Sequence, residues 1–392
     1  MAVTIGVPRE TFPGERRVAL VPRACEAFGK LGVSVIVEES AGVDAGFPDD
    51  LYAARGARLA SRRDVFQADI IVQVRSLGAN PEAGRADLDL MHPGQTVIGF
   101  GEPLTALDED TALARTGVSF LAMELMPRIT RAQSMDALSS MATIAGYRAV
   151  LLAATALPKI FPMLMTAAGT ITPARALILG AGVAGLQAIA TSRRLGAVVH
   201  AYDIRTAVKE QIESLGAKFV VLNLETGAAE DKRGYAKAMG EEFLGRQREL
   251  LTEVFREQDV IISTAAVPGK KAPILITTDM VNALAPGSVI VDVAAERGGN
   301  CELTQPGETV VHRGVNILGP LNLPSTAPYH ASQMYGANIT SFLKLMLSKD
   351  GTFKLNRDDE IIRETLVTHG NEIVLPRVNE LLTPAAPAGG GR

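Results

Sequence analysis

A chain of 392 residues exceeds one average domain and is expected to divide into two or three. Hydrophobic residues make up 47% and charged residues 21%, enough for large packed cores. The net charge of −4, with no long basic run, argues against nucleic acid or an anionic membrane as the main partner, because both need clustered Lys and Arg.

The N-terminal Met1-Ala-Val-Thr-Ile-Gly-Val-Pro8 reads as a strand entering a turn, without the basic and apolar regions of a signal peptide. Short β-branched runs at Val3–Val7, Val33–Val37, Ile70–Val74, Thr96–Phe100 and Val118–Met123 read as buried parallel strands. No glycine fingerprint lies between them. A helix is expected over Asp136–Ala156. The apolar stretch Ala149–Ile171 is broken by Pro158, Lys159 and Pro162, so its uncharged pieces fall short of the roughly 18–20 residues a membrane span needs.

A second array follows, with strands expected at Ala176–Leu179, Val198–Tyr202, Phe219–Leu222, Val260–Ser263, Ser288–Val291 and Val315–Leu318. Helices are expected at Ala331–Leu347 and Asp359–Leu382, packing back on the first array. The fold class is therefore α/β, with two Rossmann-like doubly wound domains, the first discontinuous. The expected boundaries are 1–137 plus 328–382 for the first and 138–327 for the second, with 383–392 a Pro-, Ala- and Gly-rich tail.

Gly180-Ala-Gly182-Val183-Ala-Gly185 follows the strand Ala176–Leu179 and opens a helix. The next strand ends in Asp203, about 20 residues on, as a dinucleotide fingerprint requires. Gly180 permits the tight turn and Gly182 lets the backbone approach a pyrophosphate. Gly185 lets helix and strand pack closely, and the helix start at Val183 presents free amides to the phosphates. Asp203 is expected to accept hydrogen bonds from the adenosine ribose and to repel a 2′-phosphate, which favours NAD(H) over NADP(H). Arg205 lies two residues on, either over the adenine or in solvent. Two cysteines, Cys25 and Cys301, lack metal-ligand spacing, and the five histidines are scattered, so no metal is expected.

Gly6-Val-Pro-Arg-Glu10, Arg16-Arg-Val-Ala-Leu20, the glycine loop and Gly287-Ser-Val-Ile-Val-Asp-Val-Ala294 together resemble the family joining alanine dehydrogenase and transhydrogenase, over nearly the whole chain. Within it, Glu124-Leu-Met-Pro-Arg128-Ile-Thr-Arg-Ala-Gln133-Ser-Met-Asp136 is similar to the nicotinamide-site loop of transhydrogenases, and Gly146-Tyr-Arg-Ala-Val150 extends the match. The family continues with Gln-Ser-Asn where this chain has Met141-Ala-Thr143. The resemblance implies that Arg128, Gln133, Asp136 and Ser139 orient the nicotinamide ring. From the residues alone, Asp136 could equally cap the following helix and Arg128 lie at the surface. Thr264-Ala265-Ala266-Val-Pro-Gly269 resembles a loop bordering the nicotinamide ribose, and Arg233-Gly234-Tyr235-Ala resembles a loop that closes over bound nucleotide.

Alanine dehydrogenases of this family carry a Lys and a His where this chain has Gln73-Val-Arg75 and Gly99-Phe-Gly-Glu102, and Glu296 replaces their catalytic Asp. Amino-acid oxidation needs a cation for the carboxylate and a group to manage protons. Hydride transfer between two nicotinamide rings needs neither. The resemblance thus implies the NAD(H)-binding subunit of a proton-translocating transhydrogenase. NADP(H) would be held on a beta-subunit domain, with membrane-spanning partner subunits, attachment at the cytoplasmic face and a homodimer. An alanine dehydrogenase-like enzyme and a non-catalytic NAD-binding regulator are the alternatives.

Overall fold

The computed structural model describes residues 2–222, 241–266 and 269–382. It divides into two compact units, Met1–Met141 with Ser325–Arg392, and Ala142–Pro324. The first division falls inside the helix Ala137–Ala156.

In the first unit, β1 (Thr4–Val7), β2 (Ser34–Glu38), β3 (Arg58–Ala60), β4 (Ile70–Arg75), β5 (Thr96–Phe100) and β6 (Ser119–Ala122) form one parallel sheet. Its order is β3-β2-β1-β4-β5-β6, the doubly wound order in which ligands bind at the carboxyl ends of the strands. Central strands of such a parallel sheet are predominantly apolar, and Ile70, Ile71, Val72, Val97 and Ile98 are fully buried. An antiparallel hairpin, Leu366–His369 and Glu372–Ile373, extends the sheet beyond β6.

That hairpin corrects the helix expected over Asp359–Leu382. The helix covers only Glu360–Thr365, and a second runs from Pro376 to Leu382. Between them Gly370 and Asn371 both take positive φ, 59° and 69°, which suits a tight hairpin turn and stops a helix. The expected Ala331–Leu347 helix spans Pro328–Met346.

In the second unit the strands are β7 (Arg175–Leu179), β8 (Val198–Tyr202), β9 (Lys218–Phe219), β10 (Val260–Ser263), β11 (Val289–Asp292), β12 (Thr309–His312) and β13 (Val315–Leu318). The order is β9-β8-β7-β10-β11-β13-β12, parallel except for the edge strand β12. The third strand lies at Lys218–Phe219 rather than Phe219–Leu222. A separate exposed hairpin, Leu164–Thr166 and Gly169–Ile171, occupies the end of the Ala149–Ile171 stretch.

Among the described residues one helix, Ala137–Ala156, is long and apolar enough to cross a membrane. Ala145, Ala149, Val150 and Ala153 on it are buried in the second unit's core, against residues such as Ala176, Ile178 and Ala188. That burial accounts for the apolar residues on this face of the helix.

The first unit buries unusual charge. Arg17 makes two hydrogen bonds to Glu15, at 2.7 and 2.6 Å, with both side chains almost out of solvent. Glu10 accepts from the backbone amides of Val74 and Arg75 at 2.6 and 3.1 Å. Burial, reinforced by the charge of Glu15, pushes the Glu10 carboxyl from 4.5 up to about 8. Asp110 is fully buried with neither carboxyl oxygen hydrogen-bonded. Burial, and then repulsion from Glu124, raise it from 3.8 to about 8. Glu124 rises to about 7, through burial and then Glu102.

These carboxyls keep protons in the folded chain that the unfolded chain releases above pH 4–5. Stability is therefore fully present below about pH 4 as far as these groups are concerned, and is lost as pH rises through 7–8. Each contributes a slope of up to about 1.4 kcal/mol per pH unit. Thermal unfolding followed from pH 5 to 8 should show a falling midpoint, and Asp110→Asn, which needs no proton, should flatten it. An equally steep decline in the variant would mean that Asp110 is ionised in the folded chain.

Candidate functional site

The carboxyl end of β7 runs into the glycine loop. Gly180 adopts φ +93°, a conformation that side chains resist, and its amide donates to the Tyr202 carbonyl of β8 at 2.9 Å. The turn delivers the helix Val183–Arg194, whose start at Gly182 has no side-chain cap. A Cβ on Gly185 would lie 1.8 Å from the Gly180 carbonyl oxygen, so helix and strand meet through glycine alone.

Gly182 is different. Its φ of −75° suits any residue, and a Cβ there would meet nothing within 4 Å. Nothing in the fold asks for glycine at 182. The open side of Gly182 adjoins the uncapped amides of a helix N-terminus, an arrangement whose chemistry suits an anion such as a pyrophosphate. Val183, 40% exposed, lies at the same edge.

Asp203 follows β8 and is nearly buried. One carboxylate oxygen accepts from the Ala181 amide at 2.8 Å, tying the glycine loop to the second strand. Arg205 folds back on the same carboxylate, through Nε at 2.9 Å and Nη2 at 2.8 Å, and its own amide adds a third bond at 2.8 Å. The guanidinium is thus not in open solvent but lies on the Asp203 carboxylate.

The loop after β10 holds Thr264, Ala265 and Ala266. Thr264 donates its hydroxyl to the Gly180 carbonyl at 3.1 Å, so this loop buttresses the glycine turn. Asn300, fully buried, accepts from the Ala265 amide at 3.1 Å and donates to the Ala265 carbonyl at 2.8 Å. Its own amide donates to Asp292 at the end of β11, at 2.7 Å. Asn300 is a positioning residue with no motif of its own, and the only sequence signal for it is the Gly298-Gly299 pair before it, both at positive φ. Val267 and Pro268 lie outside the described residues, as do Gly234 and Tyr235.

In the first unit the segment after β6 forms two 3₁₀ turns, Met123–Leu125 and Thr130–Met135, before the helix Ala137–Ala156. Asp136 accepts from the Ser139 amide at 2.9 Å and the Ser139 hydroxyl at 2.5 Å. These two are joined as a helix cap. Arg128 and Gln133 are exposed, and the Gln133 carbonyl accepts from the Asp136 amide at 3.3 Å. Asn338 holds the second turn by donating to the Ser134 carbonyl at 3.0 Å, and Arg131 pairs with Asp359 at 2.6 Å.

The positions where alanine dehydrogenases carry their Lys and His are occupied otherwise. Gln73 is buried, and Arg75 pairs with Glu15 at 3.4 Å and lies 4.2 Å over the Phe12 ring. The Glu102 amide donates to Glu124 at 2.5 Å. Glu296 accepts from the Asn322 amide at 2.6 Å. Among the described residues no three metal-ligating side chains gather to hold a metal ion.

Two α/β units, one carrying a complete glycine cradle with an acid at the second strand, define a dinucleotide-binding oxidoreductase fold. Residues 6–145 match the family model "Alanine dehydrogenase/PNT, N-terminal domain", and residues 149–376 match "Alanine dehydrogenase/PNT, C-terminal domain". The chain belongs to the alanine dehydrogenase/PNT family. It is 46% identical to an NAD(P) transhydrogenase alpha-subunit chain of Rhodospirillum rubrum, covering 95% of this chain and 98% of that one. The solved transhydrogenase of Sinorhizobium meliloti superposes with a TM-score of 0.85 at 41% identity, covering 95% of this chain and 100% of that one. An alanine dehydrogenase of Methanococcus maripaludis is 30% identical, covering 82% of this chain and 81% of that one. The alanine dehydrogenases are thus the more distant branch.

The two central glycines should respond differently to substitution. Gly185→Ala forces a backbone clash and should cost about 1–3 kcal/mol of stability. Gly182→Ala should change stability by less than about 1 kcal/mol yet weaken NADH binding about tenfold. Thermal melts and NADH titration of both variants make the comparison. Parent-like NADH affinity in Gly182→Ala would mean that no phosphate reaches this loop.

Proposed function

We propose that this chain is the NAD(H)-binding catalytic subunit of a proton-translocating NAD(P)+ transhydrogenase, passing hydride between NAD(H) and NADP(H) held on a partner subunit. The observation that carries the reading is the open backbone at Gly182 beside an uncapped helix start, with Asp203 at the end of the neighbouring strand. The likeness to named transhydrogenase alpha subunits supports the same conclusion.

The nicotinamide supplies the chemistry, a hydride at its ring carbon. The chain's residues bind and orient. The amides from Gly182 onward hold the pyrophosphate, and Asp203 receives the adenosine ribose, its charge opposing a 2′-phosphate. Ala265, held by Asn300, and Ala266 are assigned to the border of the nicotinamide ribose. Arg128, Gln133, Asp136 and Ser139 are assigned to the ring's carboxamide, with Asp136 held in one orientation by Ser139. Gly234 and Tyr235 are assigned to a closing loop. Ring-to-ring transfer moves no proton to a heteroatom, so rate depends on placing two rings in near-attack geometry.

The partners are an NADP(H)-binding domain of a beta subunit and membrane-spanning subunits that keep this chain at the cytoplasmic face. Self-association as a homodimer is supported by the exposed hairpin, where Leu164, Met165 and Ile171 are 43%, 78% and 47% exposed. An alanine dehydrogenase activity is disfavoured by Arg75, whose guanidinium is committed to Glu15 and Phe12.

Two outcomes check the assignment. Incubation with NAD and L-alanine at alkaline pH should produce no NADH, and turnover of even a few per second would restore the dehydrogenase reading. In stopped-flow transfer from NADH with the purified partner domain, Gln133→Ala and Asp136→Ala should each slow the hydride step at least about tenfold. Their NADH affinity should stay near the parent's, because the adenosine half supplies most of the binding. Parent-like transfer rates would leave Asp136 as a helix cap and nothing more.

A further inference from the structure

We propose that Arg205 is a displaceable occupant of the ribose-recognition carboxylate, and that this exchange sets how sharply the site separates NAD(H) from NADP(H). The inference rests on the NAD(H) reading above and concerns the specificity of that same site. Each oxygen of Asp203 accepts two hydrogen bonds. One takes the Arg205 amide and Nε, at 2.8 and 2.9 Å, and the other takes the Ala181 amide and Nη2, both at 2.8 Å. The acceptor capacity of a carboxylate, about four lone-pair sites, is then full.

Two of these donors are backbone and stay with the loop. The other two belong to one guanidinium, and removing it frees one acceptor site on each oxygen. A ribose cis-diol presents two O–H donors, so it can replace Nε and Nη2 one for one. A 2′-phosphorylated ribose offers a single free hydroxyl and brings negative charge towards Asp203. Here the displaced Arg205 becomes an asset, since a guanidinium pairs with phosphate bidentately. The same side chain therefore competes with NAD(H) and shelters NADP(H). The pair has little contact with water, the Arg205 side chain being 14% exposed and that of Asp203 6%, so the competition is not screened away.

The test is calorimetric titration of NADH and NADPH into the full chain and into Arg205→Ala and Arg205→Lys. Arg205→Ala should bind NADH about tenfold tighter, and its ratio of NADPH to NADH dissociation constants should rise by more than that factor. Arg205→Lys, with a single ammonium in place of the fork, should shift NADH affinity in the same direction by about threefold. It also carries the test if the alanine variant does not fold. Unchanged or weakened NADH binding in the variants, with the parent binding NADH normally, overturns the role of Arg205 and leaves the cofactor assignment standing. A parent that binds no NADH, or binds NADPH equally well, overturns both.

Discussion

The dinucleotide cradle depends on one close approach, the backbone of Gly185 against the carbonyl of Gly180. Only with no Cβ at 185 can the helix Val183–Arg194 start directly over the end of β7. Everything else at this edge is arranged around that contact. Thr264 bonds to the same Gly180 carbonyl, Asp203 ties the loop to β8 through the Ala181 amide, and Asn300 holds the Ala265 backbone in place. A binding site built from backbone amides needs this rigidity, because amides cannot reorient as side chains can.

The first unit shares the 3-2-1-4-5 order of its first five strands with the second and has no glycine loop after its first strand. The region that follows β1 and β4 is taken up by a buried ion network of Glu10, Glu15, Arg17 and Arg75. Such a network commits Arg17 and Arg75 to Glu15, and Glu10, its carboxyl pushed up to about 8 by burial, makes it a pH-sensitive piece of core. One topology thus serves two purposes within the chain. The unit with open backbone is assigned the nucleotide, and the unit with filled side chains carries the Arg128–Ser139 segment.

Most of the parallel strands are legible in the sequence because buried parallel strands are continuously β-branched, as in Ile70–Val74 or Val260–Ser263. The glycine cradle is legible for a similar reason, since its glycines sit between a recognisable strand and helix. The hairpin at Leu366–Ile373 is not, because an apolar run flanked by helix formers resembles a helix unless the Gly370-Asn371 turn is weighed. Nor is the position of Arg205, as sequence spacing says nothing about a side chain folding back two residues. The Asp136–Ser139 cap shows why the ring-orienting assignment needs kinetics, since the same two residues also satisfy the start of a helix.

The central claim, that NAD(H) is held by the backbone of the second unit, is tested most directly by a crystal structure of the chain with NADH. The account predicts the pyrophosphate against the amides that follow Gly182, with the adenosine ribose at Asp203 and the Arg205 guanidinium moved off that carboxylate. Nucleotide bound on the first unit, or a pyrophosphate remote from Gly182 with Arg205 still paired to Asp203, would contradict it.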